Sequence, residues 1–293
     1  MRGVAPTWSR PVPKWGSMMG EKRVRIGNQT ALSAKRLTEP FEYAVENGFD
    51  AFEWFLAPHG MDDGWEETDL APEERREIGR TASENDIELS VHVPWWLNPF
   101  EPEGYEHLAR SLEFAMDMGA ANLNMHLSSE RGIEAFEKTL SPVLRRLADL
   151  PIRLSIENIP SSAPDEFNEL FARFADAGVD VGGLVGMCLD LGHANLCPLT
   201  NNDYLGFIDR LAPHVPIVHL HLHENYGDDD THIPLFSGPS ERDSSGIEGF
   251  VDRMKRRGFS GFGILEVWPD PPSLLNQARD RLLHMFNSTG GAP

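Results

Sequence analysis

The stretch IVHLHLHEN (217–225) alternates side chains as a β-strand does, and it carries three histidines. Alternation places His219, His221 and His223 on one face of the strand and the leucines on the other. One histidine on an apolar run is usually a satisfied core residue. Five more such runs, however, carry a His, Asp or Glu at or near their C-terminal ends: ELSVHV (88–93), NLNMH (122–126), RLSIEN (153–158), GMCLDLG (186–192) and FGILEVW (262–268). A parallel (β/α) barrel requires this arrangement, because the carboxyl ends of its strands converge on one mouth.

Amphipathic segments of helical length separate the apolar runs, and two further runs, VRIGNQT (24–30) and FDAFEWFLA (49–57), precede them. Several of the helical segments end in a glycine shortly before the next strand, as a helix C′ residue does. This alternation favours a parallel sheet with right-handed crossovers. The repeats predict an α/β fold in the form of a single (β/α)8 TIM barrel, and an open doubly wound sheet is the alternative.

The barrel is expected to span residues 23–287, with an irregular N-terminal tail at 1–22 and a short C-terminal tail at 288–293. The N-terminal tail lacks the continuous apolar stretch of a signal peptide, and no window approaches the roughly 20 apolar residues of a membrane span. The cytoplasm is therefore the expected location. The chain has 26 basic and 46 acidic residues and a formal net charge of −20. That charge repels polyanions and argues against nucleic acid as a routine partner.

Nine side chains near the strand ends are potential metal ligands: His92, His126, Glu157, Asp190, His193, His221, Asp230, His232 and Glu266. A polar cluster of this size without neutralisation would bury unpaired charge at a high cost, whereas divalent cations offset several carboxylates at once. Imidazole and carboxylate ligands without a thiolate suit Zn²⁺, Mn²⁺, Co²⁺ or Fe²⁺ better than Ca²⁺. The pattern therefore predicts a site at the mouth for one to three divalent ions, with zinc, manganese and cobalt as the expected metals.

The order of the motifs along the chain resembles one known superfamily. The motifs are H-V-P-W-W-L-N-P, N-M-H, S-I-E-N, C-L-D-L-G-H-A-N, H-L-H-E-N-Y-G-D-D-D-T-H-I-P-L and I-L-E-V. In this order they resemble the xylose isomerase-like TIM-barrel superfamily, and the resemblance covers about residues 24–287. That superfamily contains sugar isomerases and epimerases, hydroxypyruvate isomerase, inosose dehydratase and endonuclease IV (AP endonuclease family 2).

The resemblance to the sugar isomerases implies one metal held by Glu157, Asp190, His221 and Glu266, with Glu157 and Glu266 also acting as acid/base groups on opposite faces of the substrate. A metal that polarises a carbonyl and its adjacent hydroxyl acidifies the carbon-bound proton, which a carboxylate can then transfer. The ketose 3-epimerases of the superfamily have an Arg six residues after the metal-binding His, where this chain has Gly227. A 3-epimerase acting on free ketoses is therefore the less expected member.

The resemblance to endonuclease IV implies a three-metal cluster for phosphodiester cleavage. Its ligand groups would be His92, His126 and Glu157; Glu157, Asp190, His221 and Glu266; and His193, Asp230 and His232. Endonuclease IV needs a basic surface to hold DNA. Here the loop after the second strand, HGMDDGWEETDLAPEE (59–74), is strongly acidic and is expected at the same mouth. The resemblance alone does not choose between the two reactions.

Aromatic and basic residues near the mouth are candidates for substrate contacts. Trp95 and Trp96 follow His92 and could form a wall for a sugar ring, or they could pack beneath a loop. Arg242, in the polar stretch SGPSERDSSG (237–246), could hold a phosphate, as loops near the last strands do in many barrels; a mobile surface loop is the alternative.

Polar residues on the strands supply further candidates. Glu53 could accept hydrogen bonds from substrate hydroxyls, and Asn28 and Gln29, which close the first strand, could also hydrogen-bond the substrate. His219 is expected deeper in the barrel as structural support, while His223 and Glu224 are expected to orient metal ligands.

The leading hypothesis is a metal-dependent isomerase or epimerase of a small sugar, sugar phosphate or polyol. A dehydratase of the same superfamily would share the first proton abstraction. An endonuclease IV-like phosphodiesterase and a non-catalytic carrier or sensor are the alternatives from other classes. The expected partner is a small carbohydrate, and the chain could form a homo-oligomer.

Overall fold

Eight parallel strands form the centre of the molecule. The structure is a computed structural model that describes residues 23–57 and 64–288. Its strands, β1 to β8, are Arg25–Gln29, Ala51–Phe55, Glu88–His92, Asn122–His126, Arg153–Glu157, Val185–Asp190, Ile217–Leu222 and Phe262–Leu265. They pair in chain order, and β1 also pairs with β8, which closes the barrel. The predicted TIM barrel is confirmed, and the open-sheet alternative is wrong. The predicted tail at 1–22 lies outside the described residues.

Helices alternate with the strands around the barrel. They are α1 Glu39–Glu46, α2 Pro72–Glu84, α3 Pro102–Met118, α4 Ile133–Leu147, α5 Pro164–Asp176, α6 Leu191–Leu196, α7 Tyr204–Arg210, α8 Ser245–Arg256 and α9 Ser273–Asn287. Proline at the first helical position suits the starts of α2, α3 and α5, because that position needs no intrahelical N–H donor. Gly119 ends α3 in the left-handed conformation, with φ of 68°, as its position before β4 predicts. None of the helices in the described part is long and apolar enough to cross a membrane.

The strands separate an apolar outer layer from a polar interior. In β7, Leu220 and Leu222 are fully buried on the helix side, while His219 and His221 point inward to the carboxylate of Glu53. The same alternation in β2 turns Trp54 outward, where it packs against other aromatic rings of the core. Polar interior side chains are positioned by strand register, so the fold itself brings them together.

The last strands are shorter than the sequence predicts. β7 ends at Leu222, opposite the last residue of β8, Leu265. Beyond that point no ladder partner continues, so the chain turns away and Glu224 pairs instead with Ile233 in an isolated antiparallel bridge. Residues after Leu222 and Leu265 therefore belong to the loops that form the mouth.

Candidate metal centre

The nine predicted ligands converge at the C-terminal mouth of the barrel. Four of them are the last residues of strands β3 to β6: His92, His126, Glu157 and Asp190. His221 is the penultimate residue of β7. The other four lie in the segments that follow β6, β7 and β8: His193, Asp230, His232 and Glu266. The strand ends thus act as the sequence predicts, since each contributes its ligand to the same space.

Glu157 lies at the centre of the cluster and is fully buried. Its Oε2 lies 3.0 Å from His92 Nε2. Its Oε1 lies 3.4 Å from His126 Nε2 and 3.3 Å from His221 Nδ1. The two oxygens of this carboxylate therefore face different imidazoles, His92 on one side and His126 with His221 on the other.

Four of the predicted ligands form what we call the inner site: Glu157, Asp190, His221 and Glu266. One ligand atom from each lies within 4.8 Å of those of the other three. His221 Nδ1 is 3.2 Å from Glu266 Oε2 and 3.8 Å from Asp190 Oδ2. Three carboxylates and one imidazole at these separations make a donor set suited to a divalent cation.

Three ligands form what we call the outer site: His193, Asp230 and His232. Asp230 Oδ2 lies 3.1 Å from His193 Nε2 and 3.3 Å from His232 Nε2. His223 also has a ligand atom within 4.8 Å of this group. Its ring, however, stacks on His232 at 3.9 Å between centroids and 7° between planes. Two nearly parallel imidazoles do not direct their lone pairs at one point, so His223 and His232 are not placed to bind the same ion, and His223 instead packs against the ring of His232.

The histidines of the cluster share a hydrogen-bonding pattern that sets their tautomers. In each of four rings, one nitrogen faces the cluster and the other contacts an acceptor behind it. The pairs are His92 Nδ1 with Val93 O at 2.5 Å, His193 Nδ1 with Asn158 O at 2.8 Å, His232 Nδ1 with Glu266 O at 2.8 Å and His221 Nε2 with Glu53 Oε1 at 2.8 Å. Because these oxygens only accept, the far nitrogen keeps its proton, and a cation that displaces the other proton would find a lone pair directed toward the cluster. Metal-binding histidines are oriented in this way.

The charges of the cluster are balanced by protons when no cation is bound. Burial raises the pKa of Glu157, but the positive charge of His221 contributes to holding that pKa well below its usual range. Burial lowers the pKa of His232, yet its bond to Asp230 and the charge of Glu266 raise it to about 9. A divalent cation would replace such protons, because metal binding requires neutral imidazoles and ionised carboxylates.

Several buried acceptor atoms in the cluster have no hydrogen-bond partner. They are Glu157 Oε1, Glu266 Oε2, Asp230 Oδ1 and His221 Nδ1. Buried polar atoms are normally satisfied, and each exception requires an explanation such as an ion. All four atoms point to the inner or the outer site, so the residues present fit divalent cations.

A chain of polar side chains supports Glu157 from within the barrel. Asn124 donates to Glu157 Oε2 and accepts at Oδ1 from Ser155 Oγ at 2.6 Å. Asn122 donates to Ser155 Oγ at 2.9 Å and to Ser90 Oγ at 3.4 Å, and Ser90 in turn donates to Glu53. The sequence pattern did not single out Asn124, although its position two residues before His126 places it on the inward face of β4.

The predicted substrate contacts are only partly at the mouth. A cavity of about 530 Å³ faces the cluster, and its walls include Trp95, His126, His193, Asp230, His232 and Glu266. Glu53 is fully buried beneath the cluster, and Asn28 is buried and donates to Pro40 O at 3.1 Å. The neighbouring Gln29 lines the cavity instead, because a shift of one residue along β1 exchanges the two faces. Arg242 is exposed after a short 3₁₀ helix and does not line this cavity.

The acidic loop predicted at 59–74 has a different role where the structure describes it. Residues 58–63 lie outside the described part. Glu67 is buried and accepts from Ser111 Oγ at 2.9 Å. Asp69 accepts from Glu66 N, and Glu74 accepts from Ala71 N, both at 2.8 Å. The carboxylates of Asp69 and Glu74 thus cap a local turn and the start of α2, and that of Glu67 bonds to α3.

Together, the fold and the site define a class: a TIM barrel with a cluster of imidazoles and carboxylates at its C-terminal mouth. The model of the xylose isomerase-like TIM barrel family matches residues 41–285. The chain therefore belongs to the xylose isomerase-like TIM barrel family, as the order of its motifs predicts.

One relative and two solved structures are similar to this chain over most of its length. An uncharacterised protein of Methanocaldococcus jannaschii is 25% identical over 253 residues, which covers 78% of each chain. A D-tagatose 3-epimerase-like protein has a TM-score of 0.67 at 21% identity, over 90% of this chain and 98% of its own. Endonuclease IV from Thermus thermophilus has a TM-score of 0.62 at 21% identity, over 89% and 98%. At these identities the two structures establish the shared fold alone.

Proposed function

We propose that this protein is a divalent-metal-dependent isomerase or epimerase of a small sugar, sugar phosphate or polyol. One observation carries the proposal. Glu157 Oε1 and Glu266 Oε2 lie 3.3 and 3.2 Å from the same nitrogen of His221, and neither oxygen has a hydrogen-bond partner. The two glutamates end β5 and follow β8, which are not neighbours in the barrel, so they approach the inner site from different sides.

This arrangement supports proton transfer at carbon. Glu157, Asp190, His221 and Glu266 would hold the ion, which when bound polarises a carbonyl and its adjacent hydroxyl. One glutamate takes the proton from the carbon next to the carbonyl, and the same or the other glutamate returns it. Return to the neighbouring carbon interconverts an aldose and a ketose, whereas return to the other face of the same carbon gives an epimer.

The test is solvent exchange in the variants Glu157→Gln and Glu266→Gln. With a sugar panel in D₂O and manganese or cobalt present, wild-type protein should incorporate deuterium at carbon, as followed by NMR. Each variant should lose about 10²- to 10⁴-fold in rate. Metal content is measured on each variant, and Glu241→Gln, at an exposed glutamate, serves as the control. Unchanged turnover in either variant would refute the assigned roles.

A dehydratase would begin with the same proton abstraction, so the products of the same experiment separate it from an isomerase. Loss of water from the substrate would be seen as a new deoxy or keto compound rather than a sugar isomer.

The outer site favours a second candidate, an endonuclease IV-like phosphodiesterase. His193, Asp230 and His232 add a further group to the inner site, and clustered ions can activate water and stabilise both oxygens of an in-line displacement. The formal charge of −20 opposes DNA binding. This candidate predicts nicking of duplex DNA at an abasic site at low salt with zinc or manganese, and no cleavage there would exclude it.

A further inference from the structure

We infer that the mouth contains a second sugar subsite and that the substrate is an uncharged two-unit carbohydrate whose reducing unit reacts over the inner site. The inference rests on the proposed function and specifies its substrate class. A second cavity, of about 410 Å³, adjoins the one of about 530 Å³ that faces the cluster. Trp95, His126 and Ile159 line both cavities. We call the second one the side cavity.

The sizes of the two cavities suit two linked units. Each volume falls within the range of roughly 300–1,000 Å³ that is typical of small-molecule sites. The cavity facing the cluster has Glu266 and three of the ligand imidazoles in its wall, so the reacting carbon belongs there. A free monosaccharide in that position would leave the side cavity unfilled, whereas a substituent on the sugar would extend past Trp95 into it.

The walls of the side cavity have the chemistry that binds sugar hydroxyls. Ser128, Ser129, Ser161 and Asn98 line the side cavity together with Trp96. Hydroxyl and amide groups exchange hydrogen bonds with sugar hydroxyls, while an aromatic face packs against the C–H face of a pyranose ring. Asn98 accepts at Oδ1 from Phe100 N at 2.9 Å, which fixes the amide and leaves its nitrogen to donate elsewhere.

Both indoles at this edge are unusually accessible. Trp95 exposes 47% and Trp96 exposes 37% of its surface, although large aromatic side chains are mostly buried. Trp96 is held from one side by the ring of His107, at 4.8 Å between centroids and 86° between planes. A supported and exposed ring next to hydroxyl groups is a suitable platform for stacking.

The charges around the two cavities argue that the second unit is neutral. Among residues 23–57 and 64–288, no Lys or Arg lines either cavity, and Glu130 lines the side cavity. Arg131 comes next in sequence, but it pairs with Glu101 and its guanidinium lies over the ring of Phe100 at 5.0 Å. A phosphate or carboxylate on the second unit would therefore find no fixed cation there and would face a carboxylate.

The experiment compares monosaccharides with keto-disaccharides on manganese-loaded protein in D₂O. D-fructose and D-tagatose are tested against turanose, lactulose and isomaltulose, with exchange at carbon followed by NMR. We expect at least one disaccharide to exchange with a kcat/KM about tenfold or more above that of either monosaccharide. Equal or faster exchange with the monosaccharides would overturn the inference and leave the proposed function intact.

A pair of variants at an exposed position tests the side cavity itself. Ser161→Phe places a bulky ring in the side cavity, and Ser161→Ala is the matched control. Relative to Ser161→Ala, Ser161→Phe should lower the ratio of disaccharide to monosaccharide kcat/KM by about tenfold or more. The same ratio in both variants would overturn the inference.

Saturation-transfer NMR on the same disaccharides separates binding from turnover. If no sugar exchanges deuterium at carbon, the proposed function fails. The subsite then stands only if saturation reaches both rings of a disaccharide in Ser161→Ala, and no longer reaches the non-reducing ring in Ser161→Phe. No transfer to the non-reducing ring of any disaccharide in Ser161→Ala would overturn the subsite as well.

Discussion

The inner and outer sites lie side by side, but the fold holds them by different means. The side chains of Glu157, Asp190 and His221 in the inner site are fully buried. In the outer site, the side chains of Asp230 and His232 are 32% and 35% exposed. In the inner site, Glu157 and Asp190 end strands and His221 lies one residue before the end of β7, so strand register fixes their positions. In the outer site, Asp230 and His232 lie in the loop after β7. The inner site is therefore expected to keep its geometry without an ion, and the outer site is expected to need one.

The backbone conformation of the outer site also suggests that its geometry depends on a bound ion. His232 has φ of 46°, and an L-residue in the left-handed region costs roughly 1–2 kcal/mol. The contacts of its ring with Asp230, Glu266 O and His223 offset that cost. None of the four inner-site residues has a positive φ, and three of them lie on regular strands.

The largest effect is expected when the support of the inner site is removed. Glu53 is buried and lies 2.8 Å from His221 Nε2 and 3.0 Å from His219 Nε2. Glu53→Ala should lower the free energy of unfolding by about 3–5 kcal/mol, because it leaves a buried network unpaired. It should also weaken metal binding at the inner site about 10- to 100-fold. Urea denaturation and calorimetric metal titration measure the two effects.

Glu67→Gln is the matched control for Glu53→Ala. Glu67 is a buried carboxylate that bonds to Ser111, far in sequence from every ligand. The Glu67→Gln substitution should lower the free energy of unfolding while leaving the metal affinity unchanged. If Glu53→Ala lost stability but kept its metal affinity, the barrel interior would not be what orients His221.

Much of the cluster could be predicted from sequence, because the C-terminal ends of parallel strands lie at the same mouth of a barrel. His92, His126, Glu157 and Asp190 each end an apolar run, and parallel strands bring such residues together. The role of Glu53 could not be predicted, because alternation places it inward but does not say at which depth. Its depth follows from the barrel register, in which Glu53 pairs with Gln29 and Ser90.

The outer site and the cavity walls depend on loops, whose paths sequence patterns do not define. The D-x-H spacing correctly predicts that Asp230 and His232 lie together, because residues two apart in an extended segment point the same way. By contrast, Arg242 is exposed and does not line the cavity that faces the cluster, and of Asn28 and Gln29 only Gln29 lines it. In both cases the deciding factor is a turn or a one-residue offset, which composition and periodicity do not resolve.

His223 connects the two sites and allows them to be perturbed separately. Its Nε2 lies 3.2 Å from Asp190 Oδ2 in the inner site, and its ring stacks on His232 in the outer site. His223→Phe keeps the stacked ring and loses the hydrogen bond, whereas His223→Gln keeps a donor and loses the ring. We expect His223→Phe to lower the metal affinity of the inner site alone, and His223→Gln to lower that of the outer site alone, each by about tenfold.

Zinc titrations in an Asp230→Asn background assign the two affinities, because that change removes the shared carboxylate of the outer site. If both His223 variants weakened the same site, the two centres would not be supported separately by this side chain.

The smallest effect is expected from pH, and it should come from the outer site. In metal-free protein, the bond to Asp230 helps raise the pKa of His232 to about 9, above its ordinary value of about 6.5. A raised pKa means that the charged histidine stabilises the folded state fully below pH of about 6.5, and that this stabilisation is lost as pH rises through about 9. Because the pair is about one-third exposed, solvent screening limits the loss to about 1 kcal/mol or less. Thermal unfolding of chelated protein between pH 6 and 10 should show this loss, and His232→Gln should remove it. If the melting temperature fell equally with pH in the wild type and in His232→Gln, the pair of His232 and Asp230 would not stabilise the loop. An ion alone would then have to hold the outer site together.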